Sequence, residues 1–282
     1  MEHRAFRAMG TSIELFVDTT YCADEALDRA EAEFHRLEVI LSRFREDSDL
    51  SRLNHVGEIE ACPDLLRVTE LALAAREETG GRFDPTVHDA IVAAGYDRTF
   101  DSVAPDGPLA ATATPCGGEV MVSGSRIVLG SGVRLDFGGI GKGFAVERAA
   151  QLLATAGPCL VSAGGDLAVR DGAWPIGVQT ADGWLTLELT SGGLATSGRD
   201  RRRWLRAGRE LHHLIDPTTG TSAEGDLLRA SVVAPDAIAA EVWGKALFLA
   251  GSAAAAAEAD ARGIPAVLVT TRGRTQLAGG PA

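Results

Sequence analysis

The stretch LDFGGIGKGFAVERAAQLL, residues 135–153, constrains the fold of this chain more than any other. Apolar residues lead into a glycine-rich turn, and a helical pattern follows, so the sequence predicts a strand, a turn and a helix. Such a turn directs backbone N–H groups and a helix N-terminus at one point, where they favour an anion. Lys142 would add a point charge suited to a phosphate. The residues alone leave two interpretations open, a phosphate-binding turn and a tight structural turn.

Neither standard nucleotide-binding motif fits this turn. The P-loop pattern fails because Asp136 stands where its first glycine belongs, and no Ser or Thr follows Lys142. The dinucleotide fingerprint fails because Phe144 occupies the place of its last glycine. A nucleotide site here would therefore follow another pattern.

Lysine and cysteine are both scarce in this chain. Lys142 and Lys245 are the two lysines among 27 basic residues, and a compact ammonium is suited to a site that needs a point charge rather than a planar guanidinium. Both lysines are therefore candidates for a functional site. The cysteines are widely spaced and form no CxxC pair, which predicts buried thiols rather than a zinc or dithiol site. They are Cys22, Cys62, Cys116 and Cys159.

The composition is that of a folded, acidic protein. A chain of 282 residues with 45% hydrophobic content can bury a sizeable core. The formal net charge of -12 argues against a surface that binds nucleic acid or an anionic membrane as a whole. No stretch approaches the roughly 20 apolar residues that span a bilayer. Because the N-terminal residues also lack a leader-like apolar segment and a lipidation cysteine, we expect a cytoplasmic protein without a membrane anchor.

Hydrophobic periodicity predicts strands and helices distributed along the whole chain, which favours one mixed α+β domain over residues 1–282. The predicted strands are 11–18, short strands within 119–139, 158–170, 174–181, 184–198 and, as the last, 264–271. The predicted helices are 23–53, 64–81, 143–157 and 236–251. Residues 101–118 form a polar, Pro- and Gly-rich connection, interpreted as a lid or a loop.

Two further motifs carry residues of chemical interest. In LHHLIDPTTG, residues 211–220, His212 and His213 would face opposite sides of a strand, so at most one lines a given cleft. That histidine is a candidate general base near a carboxylate, and local hydrogen bonding is the alternative. RDRRRWLRAGR, residues 199–209, suggests RNA or phosphate binding by its arginines, but the negative net charge favours a solvated ribbon. FDPTVHDAIVAAGYD, residues 83–97, has no metal-ligand spacing and predicts a turn and a helix start.

Taken together and in order, the motifs of this chain resemble the ApbE family, the FAD:protein FMN transferases. The matching stretches are MGT at 9–11, LSRLN ending at Asn54, GRFDPTV at 81–87, LDFGGIGKGFAVER at 135–148, SAGGD at 162–166, ATSG at 195–198 and HHLIDPTTG at 212–220. The resemblance implies a single mixed α+β domain of ApbE or T-fold-like type, with sheets packed by helices.

The resemblance also implies a reaction. In that family a magnesium ion bridges the FAD diphosphate, a threonine of a target flavoprotein attacks the FMN-side phosphorus, and AMP leaves. Some members instead hydrolyse FAD to FMN and AMP. The expected partners of this chain are therefore FAD, Mg²⁺ and a flavoprotein carrying an acceptor threonine.

The family's functional residues map onto this chain position by position. His213 matches the histidine that deprotonates the threonine, and Lys142 and Lys245 are the other catalytic candidates. The Gly141 carbonyl and Glu241 match the metal ligands. The positions expected at the flavin nucleotide are Met9, Gly10, Asp84, Pro85, Thr86, Asp136, Gly138, Gly139, Lys142, Glu147, Ser197, Gly198 and His213.

The chain departs from the family pattern at Lys245. A DxxxT metal pair of the family is matched here by Glu241 and Lys245, and an ammonium cannot ligate a metal. At about 4 Å, a dication and an ammonium repel by roughly 8 kcal/mol at an effective dielectric of 20. Three alternatives follow: the amine replaces the metal at the phosphates, it lies beside a displaced ion, or it pairs with Glu241 one helical turn away. A lesser departure is Ser162, where the family often shows asparagine.

These observations favour a transferase that moves FMN from FAD to a threonine. The alternatives are an FAD pyrophosphatase, an FAD-binding protein without activity because of the altered metal pair, and, last, an RNA-binding module. The sequence identifies neither the acceptor protein nor the oligomeric state.

Overall fold

The computed structural model describes residues 1–108 and 115–280 of the chain. In chain order its strands are β1 Glu2–Ala8, β2 Thr11–Val17, β3 Glu58–Glu60, β4 Val120–Ser123, β5 Arg126–Leu129, β6 Cys159–Ala163, β7 Asp166–Gln179, β8 Trp184–Gly198, β9 Arg203–Arg206, β10 Arg209–His212, β11 Ile215–Asp216, β12 Thr221–Ser222, β13 Leu227–Ala234, β14 Ala266–Thr270 and β15 Thr275–Ala278. Its α-helices are α1 Asp24–Leu41, α2 Asp49–Val56, α3 Pro63–Glu78, α4 His88–Ala93, α5 Gly141–Leu153, α6 Ala237–Ala250 and α7 Ser252–Arg262, and Phe100–Ser102 is a short 3-10 helix.

The chain forms two compact units, each assembled from separated stretches. The sheet unit comprises Met1–Arg36, Ile140–Gly198 and Gly225–Ala282. The small-sheet unit comprises Leu37–Gly139 and Arg199–Glu224. The predicted organisation as one domain over residues 1–282 stays a prediction.

The sheet unit is built on an eight-stranded antiparallel sheet. Its strand order is β1-β2-β6-β7-β8-β13-β14-β15. Helix α5 packs on β6 and β7, α6 on β8 and β13, and α7 on β14 and β15. The predicted α+β fold with sheets packed by helices is confirmed.

The first hairpin of this sheet turns at Met9 and Gly10. Ala8 pairs with Thr11, which leaves two residues in the turn. Met9 has φ 51° and Gly10 has φ 70°, and a two-residue hairpin of type I′ needs positive φ at both positions. Glycine adopts this backbone freely, whereas a methionine does so at a cost of about 1–2 kcal/mol. The strand predicted at 11–18 is confirmed as β2, and β1 was not predicted.

Helix α6 lies close to the sheet because glycines remove side chains at the contact. The Asp236 side chain caps the helix by accepting a hydrogen bond from Ala239 N at 2.7 Å. A Cβ on Gly193 of β8 would lie 2.4 Å from Ala237 N, so a larger residue there would push the helix away. The helix predicted at 236–251 is confirmed.

The helix predicted over 23–53 is wrong in its continuity, since α1 and α2 are separate helices. Ser48 adopts an extended backbone, with ψ 153°, and its side chain accepts a hydrogen bond from Ser51 N at 2.9 Å. The Ser48 hydroxyl also donates to the Ser42 carbonyl at 2.6 Å. A serine N-cap therefore starts a new helix inside an apolar pattern that runs on.

The residues before the glycine-rich turn were predicted as a strand, and 133–137 form none. The Asn54 side chain takes the place of a neighbouring strand, since it donates to Leu135 O at 2.8 Å and accepts from Leu135 N at 2.7 Å. Asp136 N donates to Pro85 O at 2.8 Å. An asparagine side chain can satisfy both backbone groups of one residue, which periodicity does not reveal.

The C-terminal elements and the 101–118 connection differ in part from the prediction. The strand predicted at 264–271 is β14, but it is not the last, because β15 follows it. Helix α7 was not predicted. Of the connection predicted at 101–118, residues 109–114 lie outside the described residues. In the part of the chain that the structure describes, no helix is long and apolar enough to cross a membrane.

Candidate active site

The first turn of α5 and the middle of α6 bring an amine and two carboxylates together in the sheet unit. Lys142 Nζ donates to Glu241 Oε1 at 2.7 Å and forms an ion pair with Asp166, the first residue of β7. Asp166 and Glu241 are each 4% exposed. Lys245 follows Glu241 by one turn of α6. We refer to Lys142, Asp166, Glu241 and Lys245 as the amine–carboxylate cluster.

Gly143 allows the two helices to approach this closely. A Cβ at this position would lie 2.6 Å from the Ala237 carbonyl oxygen and 3.0 Å from Glu241 Oε2. The Gly143 N–H instead donates to Glu241 Oε2 at 2.7 Å. In the GKG sequence, Lys142 and Gly143 therefore each donate a hydrogen bond to a different oxygen of the Glu241 carboxylate.

The charged groups of the cluster shift each other's pKa values. Burial opposes the charge of Lys142, but Asp166 and Glu241 outweigh it, so the pKa of Lys142 is raised and the amine stays protonated. Burial raises the pKa of Glu241 above its usual value, and the Lys142 and Lys245 charges act in the opposite direction. Lys142 therefore acts as the principal counter-ion of Glu241. The proposed ion pair between Glu241 and Lys245 stays a prediction.

The donor atoms around Glu241 do not fit a resident divalent cation in this arrangement. Both carboxylate oxygens already accept hydrogen bonds from N–H groups, and the Lys142 ammonium contacts both carboxylates of the cluster. Lys245, one turn on, has no lone pair to offer a metal when protonated. Among residues 1–108 and 115–280, no three His, Cys, Asp or Glu side chains group to hold a metal ion. The ligand roles of Gly141 and Glu241 stay predictions.

Three other predicted residues of the sheet unit have identifiable structural partners. Glu147 forms an ion pair with Arg170 and accepts a weak hydrogen bond from Ala237 N at 3.3 Å, at the start of α6. Ser197 and Gly198 end β8, where they pair with Ala230 and Arg229 of β13. The expected nucleotide contacts of Glu147, Ser197 and Gly198 stay predictions, as do those of Met9 and Gly10 in the first hairpin turn.

In the small-sheet unit, the DPT part of GRFDPTV forms a buried polar network. Asp84 Oδ1 accepts hydrogen bonds from Thr86 N at 2.8 Å and from Thr86 Oγ1 at 2.7 Å. Thr86 Oγ1 in turn accepts from Gly117 N at 2.8 Å. Arg76 Nε lies 3.4 Å from Asp84 Oδ2 and pairs with its charge. Pro85 is buried beside them. The network fixes this loop, and its predicted contact with a nucleotide is untested.

Asp136 is fixed on both sides of its carboxylate. Its Oδ1 accepts a hydrogen bond from Gly138 N at 2.7 Å, and its Oδ2 lies 2.6 Å from Arg43 Nε. The Arg43 side chain is 7% exposed, so this is a buried ion pair. Gly138 is exposed and Gly139 is buried. The aspartate where a P-loop would carry glycine therefore shapes the turn before Gly138.

The two histidines differ in environment, but β10 ends at His212, so His213 lies outside the strand in which they were predicted to alternate. His212 is 4% exposed; its Nε2 lies 3.0 Å from the Ala223 carbonyl, and its Nδ1 accepts a hydrogen bond from Leu214 N at 3.3 Å. Burial lowers the pKa of His212, so the neutral ring with a proton on Nε2 suits these partners. His213 is only half-buried. Its role as the general base stays a prediction.

The arginine-rich stretch has a structural part that the sequence did not reveal. Trp204 is buried and donates from Nε1 to Ala94 O at 2.7 Å. Arg206 is also buried, and its guanidinium donates to Gly95 O at 2.8 Å. A Cβ on Gly95 would overlap this guanidinium. The predicted solvated ribbon is therefore wrong for Arg206, although Arg203 and Arg209 are exposed.

The cysteines are all thiols, as predicted, but not all are buried. Cys22 is exposed, whereas Cys159 is buried. Burial raises the pKa of Cys116 to about 11, with help from the charges of nearby aspartates. The expectation of burial is confirmed for Cys159, is wrong for Cys22, and is met only in part by Cys62 and Cys116, which are half-buried.

Sequence reasoning missed three residues that support these sites. Asp166 lies within the SAGGD motif and contacts Lys142, but the motif gives no sign of this role. Arg43 pairs with Asp136 and Arg76 pairs with Asp84, both candidate nucleotide-binding aspartates. A buried aspartate implies a partner, but the sequence does not say which of many arginines supplies it.

The antiparallel sheet is covered by helices, and two carboxylates hold a lysine on the first turn of α5. These features define an α+β protein with a buried charged site at the N-terminus of a helix. The sequence model of the ApbE family matches residues 9–268. The chain therefore belongs to the ApbE family, which confirms the resemblance inferred from its motifs.

Curated relatives carry one common name. The FAD:protein FMN transferase of Treponema pallidum (strain Nichols) is 28% identical over 260 residues, covering 80% of this chain and 71% of that protein. The FAD:protein FMN transferase of Klebsiella pneumoniae (strain 342) is 26% identical over 279 residues, covering 88% of this chain and 80% of that protein.

Solved structures share the fold. The ApbE protein of Thermotoga maritima superposes with a TM-score of 0.87 at 24% identity, over 98% of this chain and 96% of that one. The flavin transferase ApbE of Vibrio cholerae superposes with a TM-score of 0.82 at 21% identity, again over 98% of this chain and 96% of that one.

Proposed function

We propose that this chain is an FAD:protein FMN transferase, an enzyme that moves the FMN part of FAD to a threonine of a target flavoprotein and releases AMP. Its membership of the ApbE family and the names of its relatives support flavin transfer. The observation that carries the proposal is the placement of Lys142 on the first turn of α5, where the helix N-terminus and an ammonium favour a diphosphate.

The proposed transfer exchanges one phosphorus–oxygen bond for another. The hydroxyl oxygen of the acceptor threonine bonds to the FMN-side phosphorus, and the bond from that phosphorus to the bridging oxygen breaks. The electron pair leaves with AMP. The hydroxyl proton passes to His213, the residue that the family resemblance assigns as the base. Phosphoryl transfer depends mainly on positioning and charge stabilisation, so a base and cations at the phosphates supply most of what it needs.

The cations of the sheet unit are suited to this role. Lys142 is held at the start of α5 and remains protonated because of its two carboxylate partners. Lys245 adds a second ammonium one turn beyond Glu241. Each would stabilise negative charge that develops on the diphosphate as AMP departs. Magnesium, which the resemblance implies, stays a prediction for this chain.

The test is transfer to an acceptor flavoprotein, read by mass spectrometry of the acceptor after incubation with FAD. We expect the acceptor to gain one FMN less one water, with one AMP released per FMN attached. His213→Ala should keep FAD affinity near that of the unaltered protein and lose transfer. His212→Ala is not a suitable control, because His212 is buried and bonded to its own loop. His88→Ala is the better control, since His88 lies outside the proposed chemistry and pairs with Asp89.

The same assay separates the alternatives. AMP released from FAD without any acceptor would identify a pyrophosphatase, with water in place of the threonine. FAD that is bound but survives unchanged in the presence of acceptor would identify a binding protein without activity. Unimpaired transfer by His213→Ala would refute the assignment of the base.

A further inference from the structure

Lys142 is the shared counter-ion of the two carboxylates in the amine–carboxylate cluster. It contains two ammonium groups, Lys142 and Lys245, and two carboxylates, Asp166 and Glu241. The carboxylates are almost fully buried, so each depends on a nearby positive charge. Lys142 contacts both of them. A divalent cation that used either carboxylate would therefore lie beside the Lys142 ammonium.

Both carboxylate oxygens of Glu241 already accept a hydrogen bond from α5. Oε1 accepts from Lys142 Nζ at 2.7 Å, and Oε2 accepts from Gly143 N at 2.7 Å. Each oxygen keeps a second lone pair, but a cation that bound there would lie close to the Lys142 ammonium or to the Gly143 N–H, and a cation that took the place of a donor would displace it. If Lys142 were displaced, its ammonium would then lie near the incoming dication and repel it. If the cation displaced the Gly143 N–H from Glu241, a buried backbone donor would lose its partner.

We propose that Lys142 serves as the resident cation of the free enzyme and, together with Lys245, keeps the carboxylates Asp166 and Glu241 closed to divalent metal ions. The two carboxylates could thus bind a divalent cation, but the Lys142 ammonium occupies the position between them. In its bearing on flavin transfer this inference rests on the proposed function, and it implies that FAD binds to the enzyme before any divalent ion does. Lys142 is then a determinant of the order of binding as well as a charge for the phosphates.

The central test measures Mn²⁺ binding to the purified protein without nucleotide, by the loss of the free Mn²⁺ signal in electron paramagnetic resonance. The unaltered protein should bind no Mn²⁺ at up to millimolar concentration. Lys142→Met removes the internal cation but retains a side chain of similar length. This variant should gain Mn²⁺ affinity by at least about tenfold, because two buried carboxylates then lack their counter-ion.

Two further variants keep the test decisive if Lys142→Met does not fold. Lys245→Thr removes one positive charge and leaves the contacts of Lys142 in place, so it should gain a smaller but measurable affinity. Arg29→Thr removes an exposed cation on α1 and should gain none. Circular dichroism shows which variants are folded. Mn²⁺ binding by the unaltered protein, or none by a folded Lys142→Met variant, would overturn the inference. If Lys142→Met does not fold, a folded Lys245→Thr variant that gains no Mn²⁺ affinity would overturn it.

A calorimetric titration with FAD separates this inference from the proposed function. The unaltered protein should bind FAD in EDTA with an affinity within about threefold of that in millimolar Mg²⁺. Binding that appears only with Mg²⁺ would overturn the order of binding inferred here, while leaving the proposed transfer intact. FAD binding in neither condition would refute the proposed function and the nucleotide-first order with it. The Mn²⁺ measurements, which need no nucleotide, would still decide whether Lys142 closes the carboxylate pair.

Discussion

Replacing Lys142 by methionine should destabilise the sheet unit, because it removes the cation that two buried carboxylates share. Glu241 and Asp166 are each 4% exposed, so neither can recover its hydration without a structural change. Removing one partner of a buried ion pair costs about 3–5 kcal/mol. Because Glu241 keeps its hydrogen bond from Gly143 N, we expect the free energy of unfolding to fall by about 3 kcal/mol, the lower end of this range. For a unit of this size, that loss lowers Tm by roughly 6–12 °C.

A double-mutant cycle tests whether the cost comes from the stranded charge. Glu241→Gln removes the charge and retains an oxygen for the Gly143 N–H, so in the Lys142→Met background it should be less harmful than in the unaltered protein. We expect the double variant to be more stable than the sum of the single effects predicts, by about 1–3 kcal/mol. Arg148→Met is the matched control on α5. Its ion pair with Glu33 is partly exposed, so its loss should cost less than about 1 kcal/mol.

The assay is urea-induced unfolding combined with hydrogen exchange, followed by mass spectrometry of peptides from α5 and α6. Hydrogen exchange localises the change to the two helices that carry the pair. Additive effects of Lys142→Met and Glu241→Gln, within about 0.5 kcal/mol, would refute the reasoning, because groups that do not interact add in this way.

Three other predictions follow from single contacts. Gly143→Ala should lower stability by about 1–3 kcal/mol and weaken FAD binding, because its Cβ would lie 2.6 Å from the Ala237 carbonyl oxygen; thermal unfolding and calorimetry measure both, and unchanged values would contradict the close approach. Asp236→Ala should cost about 1 kcal/mol in urea unfolding through the lost helix cap, whereas Asp236→Asn should retain most of it. With a thiol reagent at neutral pH, exposed Cys22 should react first. Because burial raises the pKa of Cys116 to about 11, its thiolate fraction and labelling rate should rise about tenfold per pH unit below that value; equal rates at neutral pH would contradict this.

Elements whose signals lie within the element were predicted well. Helix α6 carries its start at Asp236 and its end at Gly251, and the structure begins and ends the helix beside these residues. Helix α3, predicted at 64–81, is observed as Pro63–Glu78. Helix hydrogen bonds join residues four apart, so the residues that decide such a helix are neighbours in the sequence.

Elements that depend on a distant partner were predicted poorly. The backbone at 133–137 looked like a strand, but its hydrogen bonds go to the Asn54 side chain and to Pro85. The apolar pattern from 23 to 53 looked continuous, but Ser48 caps a second helix by bonding to Ser51 and Ser42. Periodicity reports which face of an element is apolar, and it does not report where a backbone group finds its partner.

The candidate site divides in the same way. The sequence by itself determined that Lys142 follows a glycine-rich turn at a helix start and that Glu241 and Lys245 share one helix, because these relations are local. Only the tertiary structure decided that Lys142 neutralises Asp166, 24 residues away, and Glu241, 99 residues away. The interaction of two charges depends on their distance in space and on their burial, and neither quantity is set by spacing along the chain.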